Sequence, residues 1–295
     1  MNRRDVLQTF ALALTGSLAT VMSSAQAQAQ TRDPARLRLA LLPDENATSL
    51  LQMAQPLKTY LEQRLKKDIE LIITTDYSSM IEAVRFKRID VAYFGGFSYV
   101  LAKSKAPDIE AFAVGVEKGA PTYNAILIAN AEGPVKSLSD IRGKAFGFGD
   151  QASTSSHLAP RAHLSRKAGL EGDRDYKVVH LGTHDAVARA VQAGQVPAGA
   201  LSEAIYRSLV TRKMIDPAKI VQLDLSDPIP NYPVVMQNDL APALRQGIRT
   251  AFLELTDKDV LKSFRVEGFM PTSDKAYDVL RDMATVLRLD IAKLK

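Results

Sequence analysis

Cysteine is absent from this 295-residue chain. No disulfide can form, no cysteine can carry a lipid anchor, and a zinc site built on thiolates is excluded. Histidine is scarce, with four in the whole chain, at 157, 163, 180 and 184, and with no cysteine beside them a zinc site is not expected. Runs of one charge are missing as well. The 38 basic and 33 acidic residues are scattered and leave a formal charge of +5, a balance that argues against nucleic acid and suits a small anionic ligand. There is no G-x-S-x-G elbow, S-x-x-K pair, Walker loop or G-x-G-x-x-G run, so an enzymatic reading has no motif to rest on. Neither a cofactor nor a metal is expected.

What is present begins with an address. Residues 1–29 combine a basic start, an apolar middle too short to span a membrane and an Ala-Gln-Ala end, the composition of a cleavable export signal. Arg3-Arg4 followed by Leu7, ahead of a middle broken by Gly16, Ser17 and Thr20, fits a twin-arginine signal; an ordinary Sec signal fits equally. A free chain in the periplasm is the expectation.

Beyond residue 30, apolar runs of strand length alternate with stretches of helical spacing. Runs at 37–43, 68–75 and 89–94 enclose helical patterns at 46–65, which Pro56 should kink or restart, and at 78–88. A βαβαβ unit with a parallel, helix-covered sheet is therefore predicted. Strands at 110–116 and 123–130 follow, then a second alternation: strands at 145–149, 176–182, 197–202 and 219–225, with helices at about 155–168, 184–194 and 203–210. The remainder reads as mostly helical. Two such blocks imply an α/β fold of two lobes, with the chain crossing between them at 117–123 and at 226–235. The predicted boundaries are 30–117 and 236–295 for lobe 1 and 118–235 for lobe 2. A two-crossing hinge permits closure over a ligand.

The stretch FGFGDQASTSSHLAP, 146–160, places four hydroxyls, Ser153 to Ser156, at the carboxyl end of a strand and the amino end of a helix. Open α/β sheets bind ligands at that edge. Unpaired N–H groups and the helix dipole attract anions there, and hydroxyls add rotatable donors. A single N-cap, worth about 1 kcal/mol, would account for one of the four. His184 also follows a strand and opens a helix, and can complete an oxyanion shell or simply cap. His163 is expected to face solvent and His180 to lie in a strand.

The motif D-x-x-S-T-S with a following proline (150–160), together with TDYSSMIEAVRFKRIDVAYFGGFSYVLA (75–102), VEKGAPTYNAILIAN (116–130), GTHDAVARAVQAGQVPAGAL (182–201) and DPIPNYPVV (227–235), resembles the periplasmic phosphonate- and phosphite-binding proteins of ABC importers. The resemblance runs in order over nearly all of the chain after the signal. It implies a type II periplasmic binding protein fold with two hinge crossings, a small phosphorus oxyanion as ligand, an ABC permease as partner and a monomer. It also implies that Ser153, Thr154, Ser155 and His184 hold the oxyanion, with Tyr77 and Tyr123 beside them. Ser156 and His157 depart from the family's usual glycine and aromatic residue. Glu203 is a candidate for a ligand amine or a plain helix-dipole residue, and Asn231 and Tyr232 are candidates for the distal end of the pocket. The alternatives carried forward are a sensor that signals to a membrane partner and an esterase using one of the serines with His184.

Overall fold

The computed structural model describes residues 31–292 and 294; the expected signal at 1–29 lies outside them. The first elements are β1 (Arg36–Leu41), α1 (Ala47–Met53), α2 (Gln55–Leu65), β2 (Asp68–Ile72), α3 (Tyr77–Arg85), β3 (Val91–Tyr93), α4 (Gly96–Lys105), β4 (Ile109–Val116), β5 (Thr122–Tyr123) and β6 (Ala125–Asn130). They are followed by β7 (Ala145–Phe148), α5 (Ala159–Ala168), β8 (Lys177–His180), α6 (His184–Gln192), β9 (Ala198–Ser202), α7 (Glu203–Thr211), β10 (Ile220–Leu225), β11 (Ile229–Pro230) and β12 (Pro233–Gln237). Last come α8 (Pro242–Leu253), α9 (Lys258–Phe264), β13 (Gly268–Pro271) and α10 (Asp278–Val286).

A six-stranded sheet in the order β13-β4-β12-β3-β1-β2 forms the first lobe, and a five-stranded sheet in the order β10-β6-β9-β7-β8 forms the second. The crossings β5 and β11 pair antiparallel with each other, Ile229 opposite Tyr123 and Pro230 opposite Thr122. Backbone hydrogen bonds thus tie the two hinge strands into one ribbon. The predicted lobe boundary at 235 falls inside β12, which pairs with β3 and β4 in the first sheet. The chain has already re-entered that sheet by Pro233.

The predicted βαβαβ unit is parallel, β1 pairing with β2 and β3, but neither complete sheet is. Strands joined by helices run parallel, β1 with β2 and β3, and β7 with β8 and β9. The two strands that follow the hinge directly, β6 and β12, run antiparallel to their neighbours, and β10 and β13 pair antiparallel with β6 and β4. The reason is geometric: a helix returns the chain to the same end of the sheet, whereas the hinge delivers it to the cleft end. The part after 236, read as mostly helical, also contains the short strand β13, and the end of the predicted second crossing forms β12. Pro56 does restart a helix, at the α1–α2 break.

The topology sets the carboxyl ends of β1, β2, β3, β7, β8 and β9 along the cleft, and each hands over to a capped or glycine-led turn. Asn46, Asp76, Thr183 and Ser202 accept backbone N–H groups of the helices they open, and Gly95 precedes α4. The apolar core of the first lobe extends across the cleft, since Ala152 and Leu158 of the second lobe pack into it fully buried. Two further clusters fill the faces of the second sheet. His163, predicted to face solvent, is instead buried, with Nε2 2.7 Å from Asp224 Oδ2. Helix α5 packs on β6 and so turns that histidine toward β10, the neighbour of β6.

Strand β9 lies so close to β7 and α6 that a Cβ at Gly199 would sit 2.8 Å from Gly147 O and 2.9 Å from Val187 Cγ1. The obstacle is backbone, which cannot rotate away. Gly199→Ala is therefore expected to destabilise the protein by about 2 kcal/mol or more, read as a lower urea midpoint with an unchanged m-value.

Candidate ligand-binding cleft

The hydroxyl run does not start a regular α-helix. Residues Thr154–Leu158 form one wide π-turn before α5, with Ser153 as its N-cap. Pro160, near the start of α5, has no N–H to give.

Each of the four hydroxyls has a different set of partners. Ser156 Oγ accepts the Gly149 N–H at 2.9 Å and donates to Ala200 O, so its one proton is spent on the sheet edge. Ser153 Oγ accepts the Ser156 N–H at 3.1 Å, and Thr154 Oγ1 accepts the Phe97 N–H of α4 across the cleft at 2.8 Å. As each only accepts in these bonds, each retains a proton to donate. Ser155 Oγ is buried, beside the Tyr123 hydroxyl, and forms no direct hydrogen bond among the described residues. Three hydroxyls thus have donors to spare, and Ser156 fastens the turn that presents them.

His184 is fully buried at the start of α6. Its Nδ1 accepts the Ser202 N–H at 3.0 Å, which places the proton of the neutral ring on Nε2. That Nε2 has no partner. Burial, with a minor contribution from the Arg265 charge, pulls the imidazole down to about 3, so it stays neutral at physiological pH. A ring that donates toward the cleft and has no carboxylate on Nδ1 cannot act as the base of a serine esterase.

Tyr77 OH and Tyr123 OH complete the set; both are buried and unpartnered. Tyr77 opens α3 in the first lobe, and Tyr123 lies on the hinge strand β5. Burial pushes both phenols well up, so they are donors at any accessible pH. Tyr123, Tyr232 and Tyr93 form an aromatic wall, with centroids 5.5 Å apart for Tyr123 and Tyr232 and 5.3 Å for Tyr93 and Tyr232. Tyr232 OH donates to Asp44 Oδ2 at 3.1 Å.

Glu203 does not join this group. Its carboxylate is met by Arg207 and by Lys118 Nζ at 3.3 Å, so its charge is already balanced. Asn231 turns its amide oxygen to the Tyr232 N–H at 2.8 Å. His157 departs from the family pattern without adding a ligand group: Nδ1 donates to Gln151 O at 2.6 Å, Nε2 faces Arg161 Nη1 at 3.3 Å, and the ring stands edge-on to Phe148.

Three residues at the cleft escaped the sequence reading. Asp44 and Glu45 follow β1, and both are almost fully buried; Arg265 precedes β13. Arg265 reaches Glu45 at 2.8 Å and Asp44 at 3.3 Å, while Arg212 of the second lobe also binds Glu45. The His184 N–H donates to Asp44 O at 2.9 Å. These contacts join the lobes on the first-lobe side of the cleft. The same sheet-edge rule that singled out Ser153 would have flagged the segment Pro43–Asn46. Among the described residues no cluster of histidine, cysteine, aspartate or glutamate suited to a metal occurs.

The arrangement is a ring of neutral donors without a cation among them, suited to a small anion with several oxygens. A family comparison agrees in kind. The family described as "ABC transporter, phosphonate, periplasmic substrate-binding protein" matches residues 39–277. The chain belongs to this family. Members are substrate-binding proteins of ABC importers and not enzymes. The chain is 28% identical over 279 residues to the phosphate-import protein PhnD of Mycolicibacterium smegmatis, covering 86% of each. It is 27% identical over 280 residues to the phosphonates-binding periplasmic protein of Escherichia coli, covering 91% of this chain and 80% of that one. In fold it matches the structure of PhnD1 from Prochlorococcus marinus in complex with methylphosphonate, with a TM-score of 0.79, 21% identity, and coverage of 87% and 99%. The two-lobed type II architecture of this substrate-binding protein is thereby established.

His157 sits at about 3, lowered mainly by burial and then by the nearby Arg161 and His180. Its folded pKa lies below the ordinary value near 6.5, so the stability it contributes is present above that value and lost as pH falls toward 3. His184 has the same sign. Each is expected to cost about 2 kcal/mol between pH 7 and pH 5. Asp44, raised by burial to about 6, has the opposite slope over about pH 4 to 6 and offsets part of this. Urea melts of His157→Phe should show about 2 kcal/mol less loss over that interval than the native protein.

Proposed function

We propose that this substrate-binding protein captures a phosphonate, phosphite or related phosphorus oxyanion in the cleft and delivers it to an ABC permease. The observation that carries the reading is the convergence of buried, unpartnered donors, Tyr77 OH, Tyr123 OH, Ser155 Oγ and His184 Nε2, from both lobes and the hinge. Buried polar groups nearly always have partners, so four donors without one in a single cleft call for a ligand. Ser153 and Thr154 supply two further protons. Tyr232 and Tyr93 provide an aromatic flank for a P–C or P–H group.

Binding then couples to closure. Thr154 already bridges to the amino end of α4, and His184 bridges through its backbone to Asp44. An oxyanion held by groups of both lobes favours the closed arrangement, which is the form a permease would recognise. Two small spaces beside the shell, one lined by Tyr123, Asn231 and Tyr232 and the other by Asp44 and Leu42, share Arg265 and have volumes of about 20 Å³ each. That is room for a water or a methyl group, and it supports a small ligand. With Glu203 neutralised by its own partners, the reading involves no ligand amine at that residue. The protein acts as a monomer in the periplasm, and Arg3-Arg4 suits export by the twin-arginine route.

Two serines separate binding from structure. In calorimetric titrations with methylphosphonate, phosphite and phosphate, Ser155→Ala should lower affinity for the preferred ligand about 10- to 100-fold, equivalent to about 1–3 kcal/mol, with melting temperature held or raised. Ser156→Ala should do the reverse, losing about 1–2 kcal/mol of stability with little change in affinity. Loss of affinity in Ser156→Ala alone would reassign the shell, and failure of all three compounds to bind would overturn the reading.

A further inference from the structure

One atom in the shell is of the wrong kind for an anion. Asp44 Oδ1 is buried and unpartnered like the donors around it, yet a carboxylate oxygen can only accept. Both compensating contacts of this side chain go to its other oxygen: Tyr232 OH at 3.1 Å and Arg265 Nη2 at 3.3 Å both meet Oδ2. Arg265 is moreover shared with Glu45, through Nη1 at 2.8 Å. Oδ1 is therefore left bare. The group lies among the phenols of Tyr77, Tyr93, Tyr123 and Tyr232, each of which it pushes upward, with Glu45 and Arg265 beside it and the His184 N–H on its carbonyl.

A charged carboxylate facing a dianion in a water-poor space repels it strongly, because little solvent remains to screen the pair. Repulsion vanishes if one hydrogen lies between the two oxygens. It can come as a P–O–H group on the ligand, donating to Asp44 Oδ1, or as a protonated Asp44 donating to the ligand. In either case the ligand and the carboxyl together hold one proton, drawn from water whenever both enter ionised.

Resting on the phosphorus-oxyanion reading, we propose that Asp44 determines specificity by sharing a single proton with the bound ligand. The cleft accordingly accepts oxyanions that carry or can take up a proton, as phosphonate, phosphite and phosphate monoanions do. At neutral pH it rejects tetrahedral anions of the same shape that stay fully ionised, such as sulfonates and phosphodiesters. The position of the carboxyl makes this effective near neutrality, since burial has already raised it to about 6. Little further shift is needed for the proton to enter with the ligand.

The test is calorimetric titration of the purified protein with methylphosphonate, methanesulfonate and 2-aminoethylphosphonate from about pH 5.5 to 8.5, in buffers of different ionisation heat so that proton uptake is read directly. At the alkaline end, where methylphosphonate is a dianion, the native protein should take up close to one proton per ligand bound. Methanesulfonate should bind only toward acid, its affinity falling about tenfold per pH unit above the carboxyl's pKa. Asp44→Asn should abolish the proton uptake and raise methanesulfonate affinity at pH 8 by tenfold or more. A carboxyl that merely holds Tyr232 in place would alter affinity without changing the proton count. If Asp44→Asn melts before titration, the two results on the native protein decide the matter alone.

Methylphosphonate binding at the alkaline end without proton uptake overturns this inference and leaves the proposed function standing. So does a strong preference for 2-aminoethylphosphonate without uptake, which would make Asp44 an ammonium site. If no phosphorus oxyanion binds at any pH, the proposed function falls and the inference falls with it.

Discussion

A buried donor without an acceptor is costly, on the order of 1–3 kcal/mol each, and this protein keeps four of them in one cleft. Much of the architecture serves to hold them there. Two sheets turn the carboxyl ends of their helix-linked strands toward each other, and each strand end passes into a helix start that exposes N–H groups and side chains. The hinge is a hydrogen-bonded pair of short strands, and Tyr123 projects from it. Ser156, His157 and Asn231 spend polar atoms on nearby backbone groups and so stiffen the frame around these donors.

Neutrality is the second constraint. Among the described residues the shell contains no free cation: Arg265 is engaged by Asp44 and Glu45, and Arg212 by Glu45. His184 cannot supply a charge either, since burial holds it near 3. Neutral, fixed donors in dry surroundings bind an anion by hydrogen bonds whose directions are set in advance, which favours shape and oxygen count over charge alone. Such a site has little to offset a surplus negative charge. On the proposed function, Asp44 therefore bears on which protonation state is bound.

Much of the second lobe could be read along the chain, because its strands and helices carry clear periodicity and its hydroxyl run stands at a strand-to-helix junction. The hinge was legible from the proline-rich segment around Pro228 and from the turn before Tyr123. The strands β12 and β13 were not, being short, without alternation, and stabilised by neighbours far away in sequence. His163 went astray for the same reason: its partner Asp224 is 61 residues further on. Glu203, a candidate from the sequence, is neutralised away from the shell, whereas Asp44, which no local pattern marked, lies in it. One carboxylate found two cations, and the other found none for its free oxygen.

By itself the sequence determined the fold class, the two-lobed plan and the residues Ser153, Thr154, Ser155 and His184 as a candidate cluster. Those conclusions rest on local patterns, such as period, capping chemistry and motif order, which act over a few residues. Only the tertiary structure decided which hydroxyls keep a proton to give, which ring nitrogen carries hydrogen and which carboxylate faces the cleft. Each of these depends on a partner that the fold brings from elsewhere: Phe97 for Thr154, Ser202 for His184, and Tyr232 and Arg265 for Asp44. A hydrogen bond is spent by whichever group reaches the atom first, and reach is a property of three dimensions.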